Sequence, residues 1–415
     1  MFQKRNVLFL LLFVVSCLQG QTRIKTMFYN TLNYNSDIES QNRTPHLKTV
    51  LNYVQPDLFM VCELKNETAS NYLFNNAVVT SNPNFEKAEF KISQSPATDL
   101  LQMVYFNKNK LTLEFNEVIP TGVRDINHYT FRTNTQNQIR IEVFVTHLKA
   151  SRGIENRNKR EESIELFVRQ LDRLPQDAYV VFAGDFNFYT SNEEGFKKLI
   201  DTSNYIQIID PINRLCPDFP NDGKDYFDAD YDNTYFWNNS TFADVHSQST
   251  RTSTSNGAGG GMDDRFDFIM LSKNFSTSSE LYYLNSSYKT IGNNGNCYNS
   301  FVSNSDCSGT YPQNLRDALY NFSDHLPVVL EIENVQSVLN TTSFNTSKLK
   351  YTLKNNTLNL GNSVNTINIY NTLGQLVYHK NNKNSQQNVV NLSTLKKGLY
   401  ILKVDSFKPL KFLYH

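Results

Sequence analysis

The chain has 415 residues, of which 39% are hydrophobic and 13% aromatic. It is long enough for two domains or one large one, and this composition excludes a disordered or fibrous protein. Formal net charge is zero, but residues 335–415 hold ten Lys and the single acid Asp405, while residues 21–334 hold 28 basic against 39 acidic residues. A polyanion can therefore approach the larger part only along a local basic strip or through metal ions.

The N-terminus reads as an export signal over residues 1–20: Lys4-Arg5, an apolar run from Val7 to Val15, then small and polar residues up to Gly20-Gln21. Val14-Val15-Ser16-Cys17 also fits a lipoprotein cleavage box, so simple cleavage near Gly20 and lipidation at Cys17 both stay open. The run is too short to span a membrane stably, and no other apolar run approaches the required length. Four cysteines remain: Cys62, Cys216, Cys297 and Cys307. Cys297 and Cys307 are near enough to close a short loop and Cys62 reads as a buried thiol, yet four cysteines allow three pairings.

The first strand is predicted from Ile24 to Tyr29, ending on Asn30. After a polar loop, Leu47, Val50, Leu51 and Val54 recur at helical spacing until Pro56-Asp57, and the apolar run Leu58 to Cys62 then delivers Glu63. Strands follow at Leu101–Phe106 and Leu111–Phe115. Ile139, Ile141, Val143 and Val145 alternate as a half-buried strand that ends at Thr146-His147-Leu148-Lys149. Ile164, Phe167, Val168, Leu171 and Leu174 mark the apolar face of a helix, preceded by Lys149, Arg152, Arg157, Lys159 and Arg160. A buried strand, Ala178–Ala183, stops on Gly184-Asp185-Phe186-Asn187.

Residues 210–262 read as an irregular insertion holding Tyr226-Phe227 and Tyr235-Phe236-Trp237. In it, Asp228, Asp230 and Asp232 alternate like the start of a calcium loop, although Asn233 and Asn239 stand where Gly and Glu are required. Then come the strand Arg265–Leu271, with Asp267 among apolar neighbours, and Ser323-Asp324-His325-Leu326-Pro327 before the apolar run Val328–Ile332. Residues 335–348 read as a Ser/Thr/Asn-rich linker, and 349–415 as short alternating strands of a small β-sandwich.

Six strands thus end or begin on a polar residue suited to chemistry: Asn30, Glu63, His147, Asp185 with Asn187, Asp267, and Asp324 with His325. Oxygen donors without zinc-spaced Cys/His pairs point to a hard cation, Mg²⁺ or Mn²⁺, with Ca²⁺ a further possibility. Histidines beside such a cation suit proton transfer during attack of water on a phosphate ester.

In order, Phe28-Tyr29-Asn30, Pro56-Asp57 to Glu63-Leu64, Thr146-His147-Leu148, Gly184-Asp185-Phe186-Asn187, Arg265-Phe266-Asp267-Phe268-Ile269 and Ser323-Asp324-His325-Leu326-Pro327 resemble the motifs of the endonuclease/exonuclease/phosphatase superfamily. The resemblance implies an α/β fold over residues 21–334: a four-layer α/β sandwich of two mixed sheets flanked by helices. It implies Asn30, Glu63 and Asp324 as metal ligands, and Asp185 and Asn187 as the pair that orients water and contacts phosphate. It further implies His325, steadied by Asp267, as the proton-transfer histidine, His147 as a second one, and Arg124 as a phosphate-binding arginine. The C-terminal segment, with Ile369-Tyr370-Asn371 before Leu373-Gly374-Gln375 and with Gly398-Leu399-Tyr400-Ile401-Leu402-Lys403-Val404, is similar to the sorting domain of the type IX secretion system of Bacteroidetes. It implies that secretion machinery as a partner and a secreted or cell-surface location.

The expectation is a monomeric, secreted, metal-dependent phosphodiesterase, an endonuclease acting on DNA or RNA. The alternatives are a sphingomyelinase or phospholipase-C-like enzyme, suggested by the aromatic insertion dipping into a membrane interface, and a surface adhesin without catalysis.

Overall fold

The computed structural model describes residues 21–415 except Ala97, 228–232, 336–348, 362–363, 382–387, Ser406 and Lys408. The export signal, the calcium-like aspartates and most of the linker segment therefore lie outside the described residues. Two compact units divide after Gln336. Among the described residues no helix is long and apolar enough to cross a membrane.

The larger unit is a four-layer sandwich. In its first sheet, Gln21–Tyr34 lies between Val328–Val335, antiparallel, and Leu58–Leu64, parallel. Leu101–Asn107 and Phe85–Lys87 continue the sheet beyond Leu58–Leu64. The second sheet runs Leu111–Ile119, Ile126–Thr133, Arg140–His147, Tyr179–Asp185, Asp267–Ser272 and Ile208–Ile209. Alternation along each strand builds the layers. Val143, Val145, Val181 and Ala183 face the first sheet and join Met27, Val61 and Met103 in one core. Phe144 and Phe182 point the other way, onto Ile164, Phe167 and Leu171 of the helix Ile154–Leu171. Phe28 and Met60 lie in the core with Leu47, Val50 and Leu51 of the helix Ile38–Val54 and Leu319 of the helix Gln313–Phe322.

The details depart from the predicted elements where polar residues carry the structure. The loop predicted before Leu47 is helical from Ile38, because Asp37 caps it by accepting from Ser40 N (2.8 Å). Arg43 is buried there, donating to the carbonyls of Thr31 (3.1 Å), Leu32 (2.8 Å) and Phe322 (2.6 Å). Gln21–Tyr34 runs past Asn30, and its register against Leu58–Leu64 shifts between Asn30 and Tyr34. This bulge places Glu63 at φ 63°, re-aiming its carboxylate toward the sheet rim. Arg265 belongs to no strand; it is buried and grips Asp210 through Nη1 (2.8 Å) and Nη2 (2.9 Å). Cys297 and Cys307 are joined, while Cys62 and Cys216 are free and buried.

The smaller unit is a β-sandwich of two antiparallel sheets, three- and four-stranded, sharing a core of Leu358, Ile367, Ile369, Val390, Leu402 and Phe412.

Candidate active site

Strand register alone brings three of the polar ends together. His147 is the parallel partner of Asp185, and Asp185 the antiparallel partner of Asp267, so the three stand on one rung across adjacent strands. The approach is close: a Cβ on Gly184 would sit 2.3 Å from the carbonyl oxygen of Thr146, and only glycine lets the two strands meet there. From the facing sheet, Asn30 lies opposite Cys62, with Glu63 next in the bulge.

The side chains converge. Asn30 Nδ2 donates to Glu63 Oε1 (2.9 Å) and Asp185 Oδ2 (3.0 Å) and lies 3.3 Å from His325 Nε2. Glu63 Oε2 accepts from Asn33 N (2.7 Å). His147 Nε2 is 3.4 Å from Asp185 Oδ2 and 3.8 Å from Glu63 Oε1. His325 Nδ1 bonds Asp267 Oδ2 at 2.7 Å, which turns Nε2 toward Asp185 Oδ2, 3.6 Å away. Asn187, at φ 52°, donates from its backbone N to Asp185 Oδ1 (3.2 Å) and from Nδ2 to Leu148 O (3.3 Å). Arg124 Nη1 donates to the same Leu148 carbonyl at 2.8 Å.

Ligand atoms of Glu63, His147 and Asp185 all lie within 4.8 Å of one another. Two carboxylates and an imidazole at that spacing fit a divalent cation, and the protonation pattern agrees. Burial first, then the charges of Asp267 and Glu63, push the Asp185 carboxyl up to about 7 against the pull of His325 and Arg124. Burial, with Arg124, His325 and Lys149 adding to it, holds His147 well below its ordinary value, as a neutral imidazole suited to ligation. Its Nδ1 is buried and has no hydrogen-bond partner among the described residues. For His325 burial pulls downward, but the Asp267 and Asp185 carboxylates outweigh it and hold the ring well above its ordinary value.

Two residues named as ligands from the sequence stand differently. Asn30 Oδ1 accepts from Leu32 N (2.9 Å), so the amide shows its NH₂ to the carboxylates and acts as a donor, with no oxygen turned toward them. Asp324 is not among the three grouped ligands; its Oδ2 accepts from Ala258 N (2.7 Å), and the Gly257 loop lies directly on it.

Sequence reasoning missed Gln248. The segment 246–251 threads between the Asp267 strand and the His325 turn. Ser247 Oγ accepts from Asp267 N (3.1 Å), Ser247 O accepts from Leu326 N (2.7 Å), and Thr250 Oγ1 donates to Ser323 O (2.6 Å). Gln248 is thereby held with its carboxamide nitrogen 2.6 Å from His325 Nε2. A run of Ser, Gln and Thr inside an irregular insertion has no periodicity to advertise this. His246 is structural, its ring nitrogens on the carbonyls of Trp237 (2.7 Å) and Met262 (3.1 Å). The aromatic insertion packs inward: Trp237 is fully buried, Tyr226 and Phe236 nearly so, and Phe219 gathers Tyr226, Phe227, Tyr235 and Phe236 around it.

No curated protein matches the chain by sequence. Similar solved structures include TDP2 of D. rerio complexed with single strand DNA product (14% identity, 75% of this chain and 99% of that chain, TM-score 0.49). Others are an endonuclease/exonuclease/phosphatase family protein from Bacteroides thetaiotaomicron (12%, 76% and 96%, 0.47) and the human Nocturnin catalytic domain with bound sulfate (15%, 76% and 97%, 0.44). Residues 346–409 match the family model described as a secretion system C-terminal sorting domain. The chain therefore carries such a sorting domain, which marks it for export to the cell surface or the extracellular space.

Proposed function

We propose that the larger unit is a divalent-metal-dependent phosphodiesterase that hydrolyses nucleic acid outside the cell. The observation that carries this reading is the grouping of Glu63, His147 and Asp185 within 4.8 Å, beside a histidine whose Nε2 faces Asp185 while Asp267 holds its other nitrogen. Glu63, Asp185 and His147 would hold the cation, the imidazole among the donors favouring Mn²⁺ over Mg²⁺, and it would supply positive charge against the phosphoryl oxygens. His325 holds a proton at Nε2 for the leaving oxygen, and Asp267 keeps that ring charged and in one orientation. Asp185, through Oδ1, and Asn187 fix the turn that carries them, and Arg124 adds a fixed cation beside it. Asn30 spaces Glu63 from Asp185 by donating to both.

The phospholipid alternative loses its motive, since the aromatic residues that suggested a membrane contact are packed against one another. The test is plasmid DNA and single-stranded RNA incubated with purified full chain in Mg²⁺ or Mn²⁺, with and without chelator, beside His325→Ala. Metal-dependent cutting that disappears in the variant is the expected outcome. Cutting in chelator, or full activity without His325, overturns the reading.

A further inference from the structure

The loop after His147 is held in an unusual way. Arg160 is fully buried and pairs with buried Glu193, Nη2 to Oε2 at 2.7 Å and Nε to Oε2 at 2.8 Å. Its Nη1 donates to the carbonyls of Lys149 (2.8 Å) and Ser151 (2.9 Å), and Glu193 Oε1 accepts from Tyr189 N (2.9 Å). A buried ion pair is a costly way to stabilise a fold; here it clamps the loop 149–153 against Tyr189, two residues beyond Asn187. The loop turns through left-handed Ser151 (φ 80°) and Gly153 (φ 95°), and it carries cations. Arg152 is exposed, its guanidinium stacked 4.7 Å from the Tyr189 ring and 5.6 Å from Phe236. Arg157 stacks 4.0 Å over Phe227. Between Lys149 and Arg160 stand five basic residues and one acid, Glu155. Among the described residues only Arg160 of the five forms an ion pair. Stacking on a ring leaves the guanidinium edge free to donate.

Asp263 and Asp264 act on Arg152, and Glu193 on Arg157, from a distance, but among the described residues no carboxylate closes an ion pair on Lys149, Arg152, Arg157 or Lys159, and cations crowded together repel one another unless an anion joins them. The crowding begins at the site: Arg124 and Asn187 share the Leu148 carbonyl, and Lys149 follows.

We propose that Lys149, Arg152 and Arg157 form a track for the phosphates that flank the scissile one, so that the substrate is a polynucleotide strand and not an isolated phosphodiester. This deepens, and rests on, the reading of the site as a phosphodiesterase. The aromatic rings beneath the arginines fix where each guanidinium lies, and the buried Arg160–Glu193 pair fixes the track to the site.

The experiment compares full-length wild type with Arg152→Ser/Arg157→Ser on a labelled oligonucleotide and on a dinucleotide, across a salt series. Each phosphate neutralised on a single strand contributes about 0.7 to the slope of log affinity against log salt. Losing two cations flattens the slope by about 1.4, shrinking the loss of affinity between roughly 50 and 200 mM salt by about sevenfold. The preference for oligonucleotide over dinucleotide falls with it, while the melting temperature stays near wild type. A wild-type slope and preference in the double variant overturns the track, and so does an equal loss on both substrates, which would put the arginines at the reacting phosphate. Tighter binding to anionic vesicles than to the strand, lost in the variant, also overturns it. If wild type cleaves neither substrate, the phosphodiesterase reading fails instead. Fluorescence anisotropy of the labelled strand in chelator then measures the same slope directly and still decides the track.

Discussion

Asp267→Asn isolates the part of the site that does not depend on the metal. The change keeps size and shape and removes a charge 2.7 Å from His325 Nδ1, on a side chain with no exposure to solvent. Two unit charges about 4 Å apart attract by roughly 4 kcal/mol at an effective dielectric of about 20. Burial, which opposes the charged ring, remains in the variant with only Asp185 and Asp324 left to offset it, so the pKa of His325 falls. The ring then gives up its charge at lower pH, and a reaction that takes a proton from Nε2 slows by up to about 10²–10³-fold, with its optimum displaced to acid. Stability follows the same sign. A group whose folded pKa lies above its unfolded value adds stability that is fully present below the unfolded value and lost as pH rises through the folded one. Wild type therefore exceeds Asp267→Asn in stability most below about pH 6.5, and the gap narrows in alkali. Initial rates across the pH range, with urea melts at its two ends, measure both effects. A variant within about threefold of wild type with an unmoved alkaline limb would refute the assignment of His325 as a charged donor.

Gln248→Ala removes the carboxamide 2.6 Å from His325 Nε2; turned so that its oxygen accepts from the protonated ring, it makes a hydrogen bond to a charged group worth about 1.5–3 kcal/mol, so kcat falls about tenfold or more while KM and the melting temperature move little. Calorimetric Mn²⁺ affinity rises about tenfold per pH unit up to about 7, because the cation competes with the proton that burial keeps on Asp185; Glu63→Gln abolishes binding. In the metal-free protein the same raised carboxyl works the other way, stability falling as pH climbs from the unfolded carboxyl value toward about 7. Cys297→Ser/Cys307→Ser frees a bridge spanning ten residues and costs about 3 kcal/mol in urea unfolding. It also lowers activity, because Met262 N donates to Ser300 O (3.0 Å) and Val302 N to Thr250 O (2.9 Å), tying the Gln248 segment to the bridged loop.

The frame was legible where burial follows a period. Val143 and Val145 alternate with Phe144 because one face meets the other sheet and one meets a helix, and that pattern survives in a single sequence. The strand Ile126–Thr133 escaped, since His128, Thr130 and Asn127 interrupt its apolar run; Glu142 answers His128 Nε2 (2.9 Å) and Thr130 Oγ1 (2.6 Å) from the neighbouring strand. The start of the helix Ile38–Val54 escaped for the same reason, with Ser40, Arg43 and Thr44 buried on its inner face. Strand ends pointed to Glu63, His147, Asp185 and Asp267 because several such ends recur in one chain; a single one carries less, since Asp210 closes Ile208–Ile209 only to pair with Arg265. Gln248 and the Arg160–Glu193 clamp depend on partners 77 and 33 residues distant, which no local pattern encodes.

The charges of the site argue for a cation more strongly than any one ligand does. His325 is shared between Asp267 and Asp185, and neutral His147 offsets neither carboxylate, which leaves the charges of Glu63, Asp185 and Asp267 with only His325 and Arg124 as counterweights. Two groups meet that excess of negative charge: the Asn30 NH₂ bridging the carboxylates, and the proton that burial favours on Asp185. Both are makeshift. An amide dipole supplies only a partial charge, and a carboxylic acid at neutral pH forgoes the ionised form that its two oxygens would otherwise use. A fold that needed only stability would replace Asp185 by an apolar residue, since a buried carboxyl raised to about 7 weakens the native state as pH approaches neutrality. The pair makes physical sense as a seat for a cation that arrives from solution and displaces the proton, and the bulge that bends Glu63 into a left-handed conformation has the same justification.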